Sequence, residues 1–536
     1  MKNNKILLIR IILTLVFAMI TYYLFLPPIN IHSFGFWAYI IALIIVYNIT
    51  SVFKLLNFKY SNITNIFHKR NIEFPKSIIA IFIIIGGTII ANFIASPLFN
   101  SKSYANRITI NDSIEFTEGI KEVDFNTLPL LDKTSSQKLG DRVMGQMSDW
   151  VSQFYVSDLY TQINYNNEII RVTPLEYASI IKYFSNRKEG IKGYITVNSV
   201  NGEAKLIRLD KGMKYMPSAL FNENLYRKLR FNHPTEIFDT ASFEIDNEGN
   251  PYWIVPTVSY KAVGVKKEIN GAIILDPITG KSKKYKLEEI PTWVDHIYSA
   301  SLIIEQVDDW GQYQNGFFNT LFSQKGVIMT TDGYNYISLN DDIYLYTGIT
   351  SVSSDESNLG FILCNMRTKE TNYYKVPGAE EYSAMASAEG QVQQMKYTST
   401  FPLLINLNGK PTYLVSLKDN AGLVKMYAFI DVTDYQKVVV TDASLGINKA
   451  AANYLASYST NYNEELLQTK EITIKNISMG IVEGNSYYYI MDTSNQKYKV
   501  SLTTSDLLPF LINGDTIKVS YLEEEEEIIN IVNIEK

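Results

Sequence analysis

The residues of this chain best suited to chemistry are carboxylates. Asp308 and Asp309 stand beside Trp310, Asp341 and Asp342 follow, and Asp355 and Glu356 come next, all inside residues 291–359. Paired carboxylates can hold a hard cation or flank a glycosidic bond, and nearby Trp and Tyr would suit a sugar platform. The same residues at turns and helix ends are solvated caps, and that reading takes precedence. Other motifs dissolve on their context. Thr279-Gly-Lys-Ser282 ends like a phosphate loop, but Leu275 occupies the place of the leading glycine and the segment precedes Lys283-Lys-Tyr-Lys286 rather than a helix. Ser135 and Lys138, and Ser185 and Lys188, match the Ser-x-x-Lys spacing of acyl-serine enzymes without a companion Ser-Asp-Asn or Lys-Thr-Gly. Four histidines, His32, His68, His233 and His296, are too scattered for a triad or a zinc pair. The one cysteine, Cys364, lies in Gly-Phe-Ile-Leu-Cys-Asn and reads as a buried strand residue. No catalytic residue, metal or cofactor is therefore expected.

Three apolar segments open the chain, at 6–26, 35–53 and 77–98, each about 20 residues and so long enough for a hydrocarbon core of ~30 Å. The N-terminal end carries Lys2, Lys5 and Arg10, and Lys54, Lys59, Lys69, Arg70 and Lys76 separate the second segment from the third, whereas 27–34 holds no Lys or Arg. The excess of basic residues predicts a cytoplasmic N-terminus and a large extracytoplasmic C-terminal region in a multi-pass cell-membrane protein. That region is ordinary folded protein, with 46% hydrophobic and 19% charged residues overall and a net charge of -6. Such a charge balance gives no footprint for nucleic acid.

An internal repeat runs through the soluble part. Residues 243–255 align without a gap on 403–415, matching Gly249 to Gly409, Pro251 to Pro411 and Trp253 to Tyr413, and each stretch reads as a β-hairpin turned at Gly-x-Pro. Upstream, 193–198 matches 360–365. With a helix between the matches, over 218–229 and 384–395, the pattern predicts two β-β-α-β-β units at 193–290 and 360–442.

The first unit closes on Asp276-Pro-Ile-Thr279-Gly280, and this run resembles the PepSY domain, an extracytoplasmic module in which an apolar strand ends at Asp-x-x-Thr-Gly. The second unit keeps Asp431 but has Asp434-Tyr435 in place of Thr-Gly. The three-helix start and the blocks 330–336 and 388–392 resemble those of large multi-domain membrane proteins of Gram-positive bacteria. The PepSY resemblance implies binding, or modulation of a peptidase, at the cell envelope.

Stepping through the chain, the expected organisation is a three-helix transmembrane region (1–98), a helix-rich connection (99–192) with a helix start at Thr173-Pro-Leu-Glu176, unit 1 (193–290), an α/β insertion (291–359), unit 2 (360–442), a helix and linker (443–470), and a five-stranded OB-like barrel (471–536). The expected fold class is α+β. The expected function is that of a membrane-anchored extracytoplasmic binding or scaffold protein engaging an envelope protein or peptide, with the lipid bilayer as its other partner. Trp253, Tyr413, Asp308, Asp309, Asp341 and Asp342 are the binding candidates. The competing reading is a cell-envelope hydrolase or transferase that uses the insertion's carboxylates.

Overall fold

The computed structural model describes residues 2–56, 76–339, 342–352, 357–458, 467–482, 485–505, 507–522 and 528–535. They form two compact units, Met1–Gln436 and Lys437–Lys536. The expected α+β architecture with three membrane spans is corrected on both counts, since four β-sheets and a β-barrel dominate the chain. Among the described residues one helix, Leu7–Phe25, is long and apolar enough to cross a bilayer. A second qualifies only if Ile79–Ala95 and Pro97–Ala105 are taken together as a span bent by 50°, and Phe34–Asn48 is a shorter apolar helix. The bend has a local cause. Ser96 precedes Pro97 and takes an extended backbone (ψ 163°), as residues before proline do. Below, α1 is Lys2–Phe25, α2 Phe34–Leu56, α3 Lys76–Ala95 and α4 Pro97–Ala105.

The rest of the first unit is built on four sheets, each an antiparallel meander, in chain order. In the first, Phe154–Val156 and Thr161–Tyr165 both pair with Glu168–Tyr177, which is followed outward by Ile191–Asn198 and Ala204–Met213. In the second, Ile237–Phe238 and Ser242–Ile245 pair with Pro251–Tyr260, followed by Lys267–Leu275 and Ser282–Tyr285. In the third, Ile328–Thr330 and Asn335–Leu339 pair with Asp342–Ser351, followed by Ser357–Asn365 and Thr371–Tyr374. In the fourth, Thr398–Ser399 and Leu403–Leu407 pair with Lys410–Lys418, followed by Val424–Asp431. Successive meanders of this kind have the connectivity of β-propeller blades.

Two details repeat in all four sheets. The first strand is broken in the middle, and just past the break one N–H reaches back across it: Ser157 to Pro174 O (3.0 Å), Asp239 to Pro256 O (2.8 Å), Thr331 to Gly348 O (2.9 Å) and Thr400 to Ser416 O (2.9 Å). A proline is tolerated in the second strand because its missing N–H faces the break, where no ladder bond is due. The third strand always ends in an Asx turn. Asn198, Asp276, Asn365 and Asp431 each accept the backbone N–H groups of the residues two and three places further on.

The helix start expected at Thr173-Pro-Leu-Glu176 is instead part of the strand Glu168–Tyr177. Thr173 donates its hydroxyl to Ser157 O (2.8 Å) rather than capping a helix. The segments 193–290 and 360–442 straddle sheets: each takes the outer strands of one sheet and then continues into the next. The repeating unit is one sheet, and the matched segments are alternate members of a series of four.

Each sheet packs on the next. A core of Ile163, Val172, Leu175, Tyr194, Phe243, Trp253, Val255 and Ile273 joins the first to the second. Ile254, Ile274, Ile303, Val307, Leu345, Ile362 and Cys364 join the second to the third, together with the helix Ala300–Tyr313. Phe361 meets Tyr413 edge-on at 5.9 Å between the third and fourth. Residues 120–139 fill the remaining wedge, where Leu131 donates to Ser199 O (3.0 Å) and Ser416 donates to Leu130 O (3.0 Å).

The second unit has a strand Val438–Asp442, a helix Ile447–Tyr458 and a closed barrel of Leu467–Val482, Asn485–Asp492, Lys497–Ser501, Ile528–Glu535 and Thr516–Leu522, in that order around the barrel. Ile472, Ile474, Tyr498, Val500, Ile517 and Val519 fill it. The acidic run 523–527 and most of the linker expected before the barrel lie outside the described residues.

The shared Asx turn gives a test. Asp276→Ala should lower the unfolding free energy by about 1–2 kcal/mol, because two backbone donors and the Thr279 hydroxyl lose their acceptor. Asp276→Asn should stay within ~0.5 kcal/mol of the parent, since Asn fills the same place in the first and third sheets. Equal losses in urea melts of the two variants would contradict the turn's role.

Candidate functional site

The residues singled out in the sequence do not converge. Trp253 and Tyr413 hold equivalent positions in the second strands of the second and fourth sheets, and both are fully buried. Trp253 Nε1 donates to Tyr215 O (3.0 Å), and the Tyr413 hydroxyl donates to Ala379 O (2.8 Å) while accepting from Asn358 Nδ2 (3.2 Å). Both are core residues with their polar atoms satisfied. Asp308 accepts from Thr330 N (2.8 Å) and Thr330 Oγ1 (3.0 Å), tying its helix to the third sheet. Asp342 takes Arg367 in a two-pronged ion pair and also accepts from Asn365 Nδ2 (2.8 Å). Asp341, Asp355 and Glu356 lie outside the described residues. Among the described residues no group of three or more His, Cys, Asp or Glu is placed to hold a metal ion. Cys364 is buried, and burial pushes its thiol up to about 12.

Asp309 belongs to something else. Just beyond α4, the fully buried Arg107 side chain bonds Glu268 (3.0 Å) in the second sheet, Glu305 (2.6 Å) and Asp309 in the helix Ala300–Tyr313, and Lys267 O (2.6 Å). Lys369, from the third sheet, donates to Arg107 O (2.9 Å), and Gln306 Nε2 holds Glu268 (3.0 Å). Burial works against the guanidinium charge, but Glu305 and Asp309 outweigh it, so the Arg107 pKa lies above its ordinary value. Burial raises the Asp309 carboxyl to about 6 even though Arg107 opposes the shift. With every strong acceptor around it already engaged, this cluster works as a clamp between α4, two sheets and a helix rather than as an acid or base.

The same end of the body grips the other apolar helices. Arg230 Nε donates to Leu26 O (2.9 Å), Arg227 lies 4.2 Å over the Tyr23 ring, and Ile29 N donates to Pro234 O (2.8 Å). Gly264 N donates to His32 O (3.0 Å). Asn92 of α3 exchanges both its amide donor (3.1 Å) and its amide acceptor (3.0 Å) with the backbone of Val263.

A second polar centre sits where three sheets meet. Glu244, fully buried in the second sheet, accepts from Asp295 N (2.8 Å), Ser242 Oγ (2.8 Å) and His296 N (3.3 Å). Asp295 Oδ2 accepts from Asn164 N (2.8 Å) of the first sheet, and Asn164 Nδ2 reaches Ser338 (3.3 Å) of the third. His296 Nε2 lies 2.6 Å from Gln162 O, which can only accept, so Nε2 carries the proton. Burial raises Glu244 to about 7 and lowers His296 to about 4. Gln162 and Arg171, facing partners across the first sheet, bury polar atoms that have no protein partner.

No local pattern could have announced these centres, because Arg107 lies 161 to 202 residues from its carboxylates and Glu244 lies 51 from Asp295. Only Asp309 stood out in the sequence.

No family model matches the chain, and no curated protein matches it. Among solved structures, a GH32 β-fructofuranosidase of Bombyx mori in complex with sucrose aligns over 74% of this chain and 70% of its own, at 10% identity and a TM-score of 0.19. A cobalt-substituted Synechocystis ACO aligns over 54% and 47%, at 9% identity and a TM-score of 0.12. A Trypanosoma rangeli sialidase aligns over 71% and 53%, at 8% identity and a TM-score of 0.15. Likeness at this level carries neither fold nor activity.

Two outcomes test the centres. Arg107→Met should destabilise the chain by about 3 kcal/mol, because it leaves the mostly buried Asp309 carboxyl unpaired while Glu305 stays in contact with water; adding Asp309→Asn should return part of the loss, and strictly additive losses would argue against the clamp. For Glu244 the folded value lies above the unfolded one. Its contribution is therefore full below about pH 4.5 and is lost as pH rises through 7. His296, with a depressed value, contributes above about pH 6.5 and loses that contribution as pH falls through 4, so the two slopes oppose. Between pH 4.5 and 7.5, Glu244→Gln should gain stability relative to the parent by up to ~3 kcal/mol. A difference in urea midpoint that does not change with pH would contradict this.

Proposed function

We propose that this chain is a membrane-anchored extracytoplasmic binding protein that holds its β-body in a fixed posture at the bilayer and engages an extended segment of an envelope protein or peptide. The observation that carries this reading is the contrast within α1. Its apolar side chains, including Leu8, Leu15 and Met19, stay exposed, while its end and the loop that follows are hydrogen-bonded into the body. Exposed apolar surface on that scale calls for a lipid neighbour.

The partner's class follows from sheet edges. The outer strand of the third sheet already accepts an extended segment in parallel pairing, Ile110–Asn111 beside Thr371 and Asn372. The ten-residue strand Ala204–Met213 ends the first sheet, and among the described residues no further strand follows it in the sheet order. Such an edge takes an added strand through main-chain hydrogen bonds. Lys205, Arg208 and Lys211 against Asp210 favour a neutral or acidic segment. The hydrolase reading loses ground because Asp308, Asp309 and Asp342 are each committed to a structural partner.

The test is site-specific photocrosslinking of the full chain in detergent with envelope extract, with the crosslinker at Arg208 or at Lys410. A discrete adduct from position 208, absent from 410 and competed by the isolated partner peptide, is expected. Equal labelling at both positions, or turnover of peptide or peptidoglycan that is lost on Asp308→Asn in a stably folded variant, would overturn the proposal.

A further inference from the structure

Beyond the helix Ala300–Tyr313 the chain forms a tight aromatic knuckle. Residues 314–330 contain no acidic side chain and one basic one, Lys325. Asn319–Ser323 is a single wide helical turn. Its backbone is pinned from inside: Thr320 Oγ1 donates to Gln312 O (2.5 Å), and Asn315 and Asn319 both donate to Lys325 O (3.2 and 3.0 Å). Phe318 and Phe322 stack with ring centroids 6.3 Å apart and planes 8° apart. Yet Phe318 is 63% exposed, Leu321 55% and Phe322 80%. A segment built this firmly and turned outward is poorly explained as a loop tip.

Its position follows from the pairing of two helices. Arg107 meets Glu305 and Asp309, Tyr104 meets Tyr313 (6.1 Å between ring centroids), and Ser101 and Lys102 line a groove of about 620 Å³ with Gln314 and Gly316. As residue numbers rise along one helix they fall along the other, so the helix Ala300–Tyr313 runs antiparallel to α4. Its continuation therefore heads back toward Pro97, where α4 leaves α3. Phe99, at that end, is 60% exposed and packs edge-on against Phe93 of α3 (5.2 Å). The knuckle thus lies at the level where the apolar helix ends, and exposed Lys102 and Lys325 flank it.

We infer that the knuckle formed by Phe317, Phe318, Leu321 and Phe322 is a second bilayer contact, inserted at the headgroup boundary beside α3 and facing a lipid surface. Aromatic and aliphatic side chains ringed by lysines are the composition that settles at such a boundary. The inference rests on the membrane-anchored reading above and adds to it a lipid contact made by the β-body itself.

The test uses the full chain reconstituted into vesicles of phosphatidylcholine and phosphatidylglycerol. An environment-sensitive dye is attached to a cysteine introduced at Phe322, at Leu15 in α1, or at Lys410 in the hairpin of the fourth sheet; the native Cys364 is buried. Blue-shifted emission at Phe322→Cys, with quenching by spin-labelled lipid at least ~3-fold stronger than at Lys410→Cys, is expected. Leu321→Cys serves as a second reporter should labelling at 322 disturb the stack. Aqueous iodide reaching 321 and 322 as readily as 410, while Leu15→Cys is quenched by lipid, would sink the second contact and leave the anchored reading intact. Absence of lipid quenching at Leu15→Cys would sink the anchored reading itself.

Discussion

The constraint on which the first unit depends is that the inner strands of its sheets are buried on both faces. Glu168–Tyr177 is buried at every position after the first, and Pro251–Tyr260 is nearly so. A strand of that kind cannot lie in a sheet with one wet face, because half its side chains would stay in water. Each sheet must therefore be covered on both sides, and sheets that follow one another along the chain cover each other most cheaply in loop length. Four in series leave one uncovered wedge, between the last and the first. Residues 120–139 fill it with backbone hydrogen bonds to both neighbours, so a segment that reads as a connection acts as a structural wall.

The same constraint explains where charge is tolerated. Apolar faces seal the sheets pairwise, but at places where three elements converge the geometry leaves backbone groups that need partners. Glu244 answers two such N–H groups, and Arg107 answers a carbonyl together with three carboxylates. Burying these charges costs free energy, and hydrophobic replacements of similar volume could be as stable. What they supply is registry: one guanidinium with fixed donors admits one placement of α4 against the second sheet and the helix Ala300–Tyr313.

How much of this could be read in the sequence divides along the same line. The Gly-x-Pro hairpins at 249–251 and 409–411, the apolar strand ending at Asp276 and the helices near 225, 384 and 447 are decided by residues within one turn of each other, and they are where the pattern puts them. Thr173-Pro-Leu-Glu176 carries a good capping signature, yet tertiary pairing overrides it, because Pro174 faces the break in its neighbour and Thr173 finds Ser157. The phase of the repeat was out of reach for a related reason: a strand's partners across sheet boundaries leave no local mark, and the matched segments pair the first sheet with the third and the second with the fourth, never one sheet with the next. The carboxylates failed as a site because adjacency in sequence places Asp308 and Asp309 on different sides of one helix, toward Thr330 and toward Arg107.

The join between the apolar helices and the β-body is short. Only Ser96 separates α3 from α4, and α4 is followed within two residues by Arg107, so no flexible tether intervenes. A helix bent at Pro97 and clamped at Arg107 transmits orientation, whereas a Gly/Ser linker of the same length would not. Asn92, gripping Val263 with both ends of its amide, adds a second fixed point on α3, and Leu26 with Ile29 adds a third beyond α1. Three points not on a line define a plane. The body is therefore held against its apolar helices at one attitude, and the outer strand Ala204–Met213, paired with the first sheet through Ala204–Arg208 and again at Met213, is held with it.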